Sequence, residues 1–294
     1  MRPAARIRIM VDVRPIRAIC VLSFLAGLLV ATRADGGLRM PPAPAPSPAV
    51  ATPPQVAPSI DVEAEVSQLR RALSDEVPHL IVDRAIGKHE WIARTRAAVN
   101  ASGLAIQRPQ LLVVVDRNPR MQQMRLILAR PQGDWDDLGG TKVSTGQVGR
   151  YDYFLTPTGI FLHTDAVLDW RAEGTFNTHH VRGLGESGMR VWDFGWQRTV
   201  RGWRSATKVS KMRLLLHATD PDTLARRLGR AASKGCIRIP EAMNLFLDRH
   251  GILDVSYEQA AQHNPRFQAV LLSDRTPTPL AGNALVVVDS SQKR

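Results

Sequence analysis

The first regular pattern along the chain is helical. In IDVEAEVSQLRRAL, residues 60–73, the apolar positions Val62, Val66, Leu69 and Leu73 fall on one face of a helix. HEWIARTRAAVNASG, residues 89–103, predicts a second helix that stops near Gly103. From residue 111 the period shortens. LLVVVD (111–116) is a β-rich run, NPR (118–120) a turn, and MRLILAR (124–130) a second strand, so the three predict a hairpin. Gly139 and Gly140 precede KVSTG (142–146), and a loop then leads to a strand in TPTGIFLH (156–163). KMRLLLH (211–217) is a strand that ends on a histidine, and ALVVVD (284–289) predicts a last strand pairing into the sheet. Asp220-Pro221 offers a cap and a first-turn proline for a helix over DTLARRLGRAA (222–232), and Pro240 does the same for EAMNLFLDRH, which Gly251 ends. Strands, glycine turns and few long helices predict a mainly β, α+β fold: a mixed-sheet domain with short helices, preceded by a small helical segment.

The same pattern divides the chain. Residues 1–17 are rich in arginine, and Ala18 to Ala31 is an uncharged apolar run of fourteen residues. This is the layout of an export signal, and it falls short of the roughly 20 residues that span a bilayer. Residues 1–34 are therefore read as a signal peptide or an N-terminal anchor, with Ala34 as a cleavage point and Met10 as an alternative start. Cys20 lacks the small residue that precedes a lipidated cysteine. Residues 35–59 include PPAPAPSPAVATPPQVAP, a proline-rich linker with no means of forming a core. A helical segment (60–108), a strand-rich domain (109–255) and a C-terminal tail (256–294) complete the expected organisation.

Charge adds little. The formal net charge is +12, of which residues 1–34 carry +5, leaving +7 spread along the rest. That balance fits solubility or attraction to an anionic envelope polymer or lipid surface. No basic run with interleaved aromatics points to nucleic acid. Localisation is expected in the periplasm or cell envelope, with inner-membrane association if the signal stays attached.

Candidate chemistry centres on ASKGCIRIPEA. Cys236 is one of two cysteines and the only one beyond residue 34, so an exported, cleaved chain has no partner for it. A leftover thiol outside the cytosol is a candidate for reactivity. It needs a base, because a free thiol is largely protonated at pH 7. His217 ends a predicted strand nineteen residues earlier. Taken singly, Cys236 also suits a small buried apolar residue, and His217 a structural histidine. The stretch 163–210, with Trp170, Trp192, Trp196 and Trp203, is long for a connection and reads as ordinary packing or as a lid. His163, His179 and His180 make a weak metal set, because adjacent histidines rarely share an ion.

His217, Ser233-Lys234-Gly235-Cys236 and Arg238, together with VSTG (143–146) and TPTGIF (156–161) upstream, resemble the signature of the L,D-transpeptidase (YkuD) family over about residues 110–240. The resemblance implies a YkuD-like sheet domain and a cysteine acyltransferase. In that family Cys236 would attack a peptidoglycan tetrapeptide stem at its third residue, release D-Ala through a thioester acyl-enzyme, and form a 3→3 crosslink. It implies His217 as base and the Ala218 carbonyl as the group that orients it. The amides of Lys234, Gly235 and Cys236 would hold the oxyanion, and Ser233 and Arg238 would bind substrate. No metal or cofactor is required, and the expected partners are peptidoglycan stem peptides. With water as acceptor the same chemistry gives an L,D-carboxypeptidase, and with a protein acceptor a protein-to-peptidoglycan ligase. Lys234 stands where the family usually has histidine. It either places a cation near Cys236 or points to solvent, and it is the one feature that favours a non-catalytic wall-binding module. The order His217 before Cys236 is the reverse of papain-like hydrolases.

Overall fold

A computed structural model describes residues 60–203 and 208–292. The signal and linker readings at 1–34 and 35–59 lie outside the described residues. Within them no helix is long and apolar enough to cross a membrane.

The fold is α+β, with two mixed sheets and a few short helices. β1 (Gln110–Asp116), β2 (Gln123–Ala129) and β3 (Asp136–Lys142) form an antiparallel meander. β4 (Gly159–Leu162) and β9 (Ala284–Val288) complete that sheet in the order β3-β2-β1-β9-β4. The predicted last strand thus pairs in parallel with β1 and antiparallel with β4, so the segment after residue 255 is built into the sheet. The second sheet runs β5 (Trp170–Arg171), β6 (Arg190–Val200), β7 (Val209–Ala218) and β8 (Ile237–Ile239).

The core lies between the sheets. Leu111, Val113 and Val115 of β1 share one buried cluster with Met212, Leu214 and Leu216 of β7 and Ile237 and Ile239 of β8. The opposite face of β1, Leu112 and Val114, packs with Trp91 and Val99 of α2 (Ala85–Ser102). With both faces covered, LLVVV reads as a continuous apolar run with no alternation. α1 (Val62–Glu76) buries Val66, Leu69 and Leu73 on the first core and is capped by Asp61, whose side chain accepts from the Ala64 N–H. α2 ends where expected, with Gly103 left-handed. α3 (Glu241–Arg249) follows Pro240, and α4 (Val255–Ala261) and α5 (Pro265–Val270) occupy the segment expected as a tail.

Two expectations are corrected. The helix at 222–232 is a single 3-10 turn at Ala225–Arg227. Asp220 does cap the start of this segment, accepting from the Asp222 and Thr223 amides, but the helix stops after one turn, before the left-handed Gly229. The supposed connection 163–210 contains β5 and β6. Trp192 is a fully buried core residue and Trp203 packs edge-on against Phe154, which is ordinary packing, whereas Trp170 lines a cleft and Trp196 is exposed. Cys236, which falls between the helices expected at 222–232 and after Pro240, immediately precedes strand β8. β3 ends at Lys142, and VSTG (143–146) continues as isolated bridges, Ser144 to Arg238 and Gly146 to Ser233.

Candidate active site

The register of the second sheet gathers the residues that the sequence separates. β8 pairs in parallel with β7, Leu216 with Ile237 and His217 with Arg238. Leu216 and Ile237 point into the core, so alternation sends Leu215, His217, Cys236 and Arg238 to the other face. A cleft of about 470 Å³ opens over that face and is lined by both His217 and Cys236. It adjoins a second cleft of about 480 Å³ that shares Asn177, Gly183 and Leu184 and extends over Trp170 and Phe176.

The turn that carries Cys236 is fastened from both upstream motifs. Ser233 N–H donates to Thr145 O, Gln147 N–H to Ser233 O, and Arg238 and Ser144 exchange two backbone bonds of 2.9 Å. Phe154 N–H donates to Lys234 O at 2.9 Å. Thr156 joins the two motifs, because its hydroxyl donates to Gly235 O at 2.6 Å and accepts from the Gly146 amide at 2.8 Å. Gly235 is at φ +137°, and a Cβ there would lie 2.7 Å from Met212 Sδ, so glycine is required on both counts.

The expected roles of Ser233 and Gly235 change. Gly235 N–H donates to Ser233 Oγ at 3.0 Å, and that hydroxyl donates to Cys236 O at 2.6 Å. Ser233 lines the cleft but is almost fully buried, its hydroxyl is spent on shaping the turn, and Gly235 N–H is committed to that hydroxyl. Among the described residues the amides of Lys234 and Cys236 have no acceptor within the protein. Lys234 takes the solvent-facing of its two expected orientations. Its ammonium lies 3.6 Å from Asp152, both side chains more than half exposed, and 5.8 Å from the Tyr153 ring. The cation that acts on Cys236 is Arg238.

His217 Nδ1 is 2.7 Å from Ala218 O. A carbonyl only accepts, so Nδ1 carries the proton and Nε2 presents its lone pair. Burial, reinforced by the Arg238 charge, pulls the imidazole down to about 4, and the bond to Ala218 O offsets this in part. The imidazole is therefore a neutral base at pH 7. Burial pushes the Cys236 thiol up, against the Leu215 amide and Arg238, which favour thiolate. The thiol also lies 3.6 Å from Arg213 O. The resting pair is neutral thiol and neutral imidazole.

Sequence reasoning missed Arg227, Tyr153, Asn177 and His179, which reach the cleft from loops. The lining holds Arg227, Lys234 and Arg238 and no Asp or Glu. Arg238 Nε is buried without a hydrogen-bond partner. Such a wall suits an anion that brings its own acceptors.

The weak metal set does not assemble. His163 is fully buried, whereas His179 and His180 are exposed. His163, Asp169 and Asp254 do converge, but Arg190 already supplies their cation, at 2.9 Å from Asp169 and 3.2 Å from Asp254. In comparison with known proteins, no family model and no curated protein matches this chain.

Proposed function

We propose that the protein is a cysteine L,D-transpeptidase with a YkuD-like domain, acting on peptidoglycan tetrapeptide stems in the cell envelope. The observation that carries this reading is the cleft that Cys236 and His217 both line, with Nδ1–H of His217 committed to Ala218 O and Nε2 left to act as base. Cys236 Sγ attacks the carbonyl of the third-position diamino acid while His217 Nε2 takes the thiol proton. The oxyanion is held by the amides of Lys234 and Cys236, aimed where charge develops. As the bond to D-Ala breaks, His217 returns the proton to the leaving amine, and a thioester remains. An amine of a second stem then attacks the thioester and gives its proton to His217, which returns it to the departing sulfur. Atoms and charge balance without a cofactor.

Arg238 and Arg227 take stem carboxylates in the acid-free cleft. Water or a protein amine as acceptor gives the carboxypeptidase and ligase alternatives. A wall-binding module without activity keeps its support only in Lys234, and that side chain lies out in solvent. The test is incubation of the purified protein with isotopically labelled tetrapeptide stems. Release of D-Ala with a crosslinked dimer is expected. Release without dimer indicates the carboxypeptidase, and no release at all overturns the enzyme.

A further inference from the structure

Beyond the cleft, β6 and β7 continue as a ribbon paired from Trp196–Arg213 to Val200–Val209. Alternation places Trp196, Arg198 and Val200 on the same face as Val209, Lys211 and Arg213. Trp196 is 66% exposed and Val209 46%, among the most exposed large apolar residues of the protein. Arg198 and Lys211 are cross-strand partners, both exposed. Like charges set directly opposite disfavour the pairing that holds them. Among the described residues the ribbon's ion pair is Arg213 with Asp193, which leaves Arg198 and Lys211 without a carboxylate. Between residues 196 and 213 the sequence has Arg198, Arg201, Arg204, Lys208, Lys211 and Arg213 and no acidic residue.

We propose that this face docks the protein on an anionic lipid bilayer. The charge pattern alone fits any polyanion, but an anionic polymer would leave Trp196 and Val209 in water. A bilayer surface takes both kinds of group: tryptophan settles at the headgroup level, and Lys and Arg pair with anionic headgroups. The same face of β7 continues through Arg213 and Leu215 to His217, about 20 Å from Lys211 along the strand. Docking through the ribbon therefore brings the cleft to the bilayer surface.

Lysine acylation read by mass spectrometry on the full chain tests this, because it reports single side chains and is not produced by attachment through residues 18–31. The protein is labelled alone, with phosphatidylcholine vesicles, and with vesicles containing phosphatidylglycerol. Labelling of Lys208 and Lys211 is expected to fall by about threefold or more on the anionic vesicles only, and to recover in about 1 M salt. Lys142, exposed at the end of β3, serves as the control and stays unchanged. The double variant Trp196→Ser, Arg198→Gln is expected to lose the protection of Lys211 while keeping the wild-type near-ultraviolet dichroism. Equal labelling of Lys211 on both vesicles overturns the proposal. Protection by soluble wall fragments with none by vesicles also overturns it, and assigns the ribbon to a wall polymer.

Discussion

Two buried histidines of this protein stand in opposite states. His163 has an acceptor on each ring nitrogen, Leu253 O and Asp169, both at 2.9 Å, so both nitrogens carry protons. Burial alone would lower it, but Asp169 and Asp254 outweigh burial and raise it. Around it Arg190 and Arg171 bind Asp169, Asp248 and Asp254. His217 has one acceptor, Ala218 O, and a neighbouring cation, Arg238, so it is held neutral. The first cluster consumes its donors and charges on itself and acts as scaffold. The second keeps a lone pair, a thiol, two amides and an arginine in reserve. What separates scaffold from site here is not burial or residue type but what is left unpaired.

The largest effects should separate the two regions by kind. His217→Gln is expected to lower acyl transfer by about 10²- to 10⁴-fold with the fold retained, seen as kcat in the stem-peptide assay beside a normal melting curve. Asp169→Ala leaves Arg190 and His163 as buried charges with a partner removed, and is expected to cost about 3–5 kcal/mol of stability in chemical denaturation. The reverse assignment, stability lost at His217 and turnover at Asp169, would break the comparison.

The pH dependence of stability should differ in sign. The folded His217 lies at about 4, below an unfolded value near 6.5. Between those values the unfolded chain binds the proton and the folded one does not, so stability falls as pH drops through the window, by about 3 kcal/mol in all. His163 is raised, so its contribution is present below about 6.5 and is lost as pH rises through its folded value. Relative to wild type, His217→Gln should therefore lose less stability on acidification from pH 7 to 4, and His163→Asn more. Denaturant midpoints across pH measure both.

Smaller effects belong to the rim. Arg227→Gln is expected to raise KM for a stem by about tenfold, the worth of one charge-assisted contact, with kcat unchanged. A fall in kcat alone would move Arg227 from binding into the chemistry. Lys234→His is expected to leave the rate–pH curve within about twofold of wild type, because the exposed ammonium already pairs with Asp152. A displaced curve would restore Lys234 as an activating cation.

Much of this was readable from the chain, for physical reasons. β1 and α1 announce themselves because one is buried on both faces and the other on a single stripe. β6 hides because a bulge between Asp193 and Trp196 breaks its alternation, with Gly195 inside it. The helix expected at 222–232 has its cap at Asp220 but stops after one turn, before the left-handed Gly229. At the site, Cys236, His217, Ala218 and Arg238 follow from motif order. The fate of Gly235 N–H does not, because it depends on a Ser233 rotamer. Nor do Arg227 and Tyr153, which arrive on loops whose path only the tertiary fold sets.

The central claim, that Cys236 is a nucleophile activated by His217, is tested most directly by intact mass after incubation with a carbapenem, a class that the resembled family leads one to expect as an acylating agent. One covalent adduct per chain is predicted for wild type, none for Cys236→Ala, and much slower formation for His217→Gln. No adduct on a wild-type protein whose thiol remains free would contradict the account.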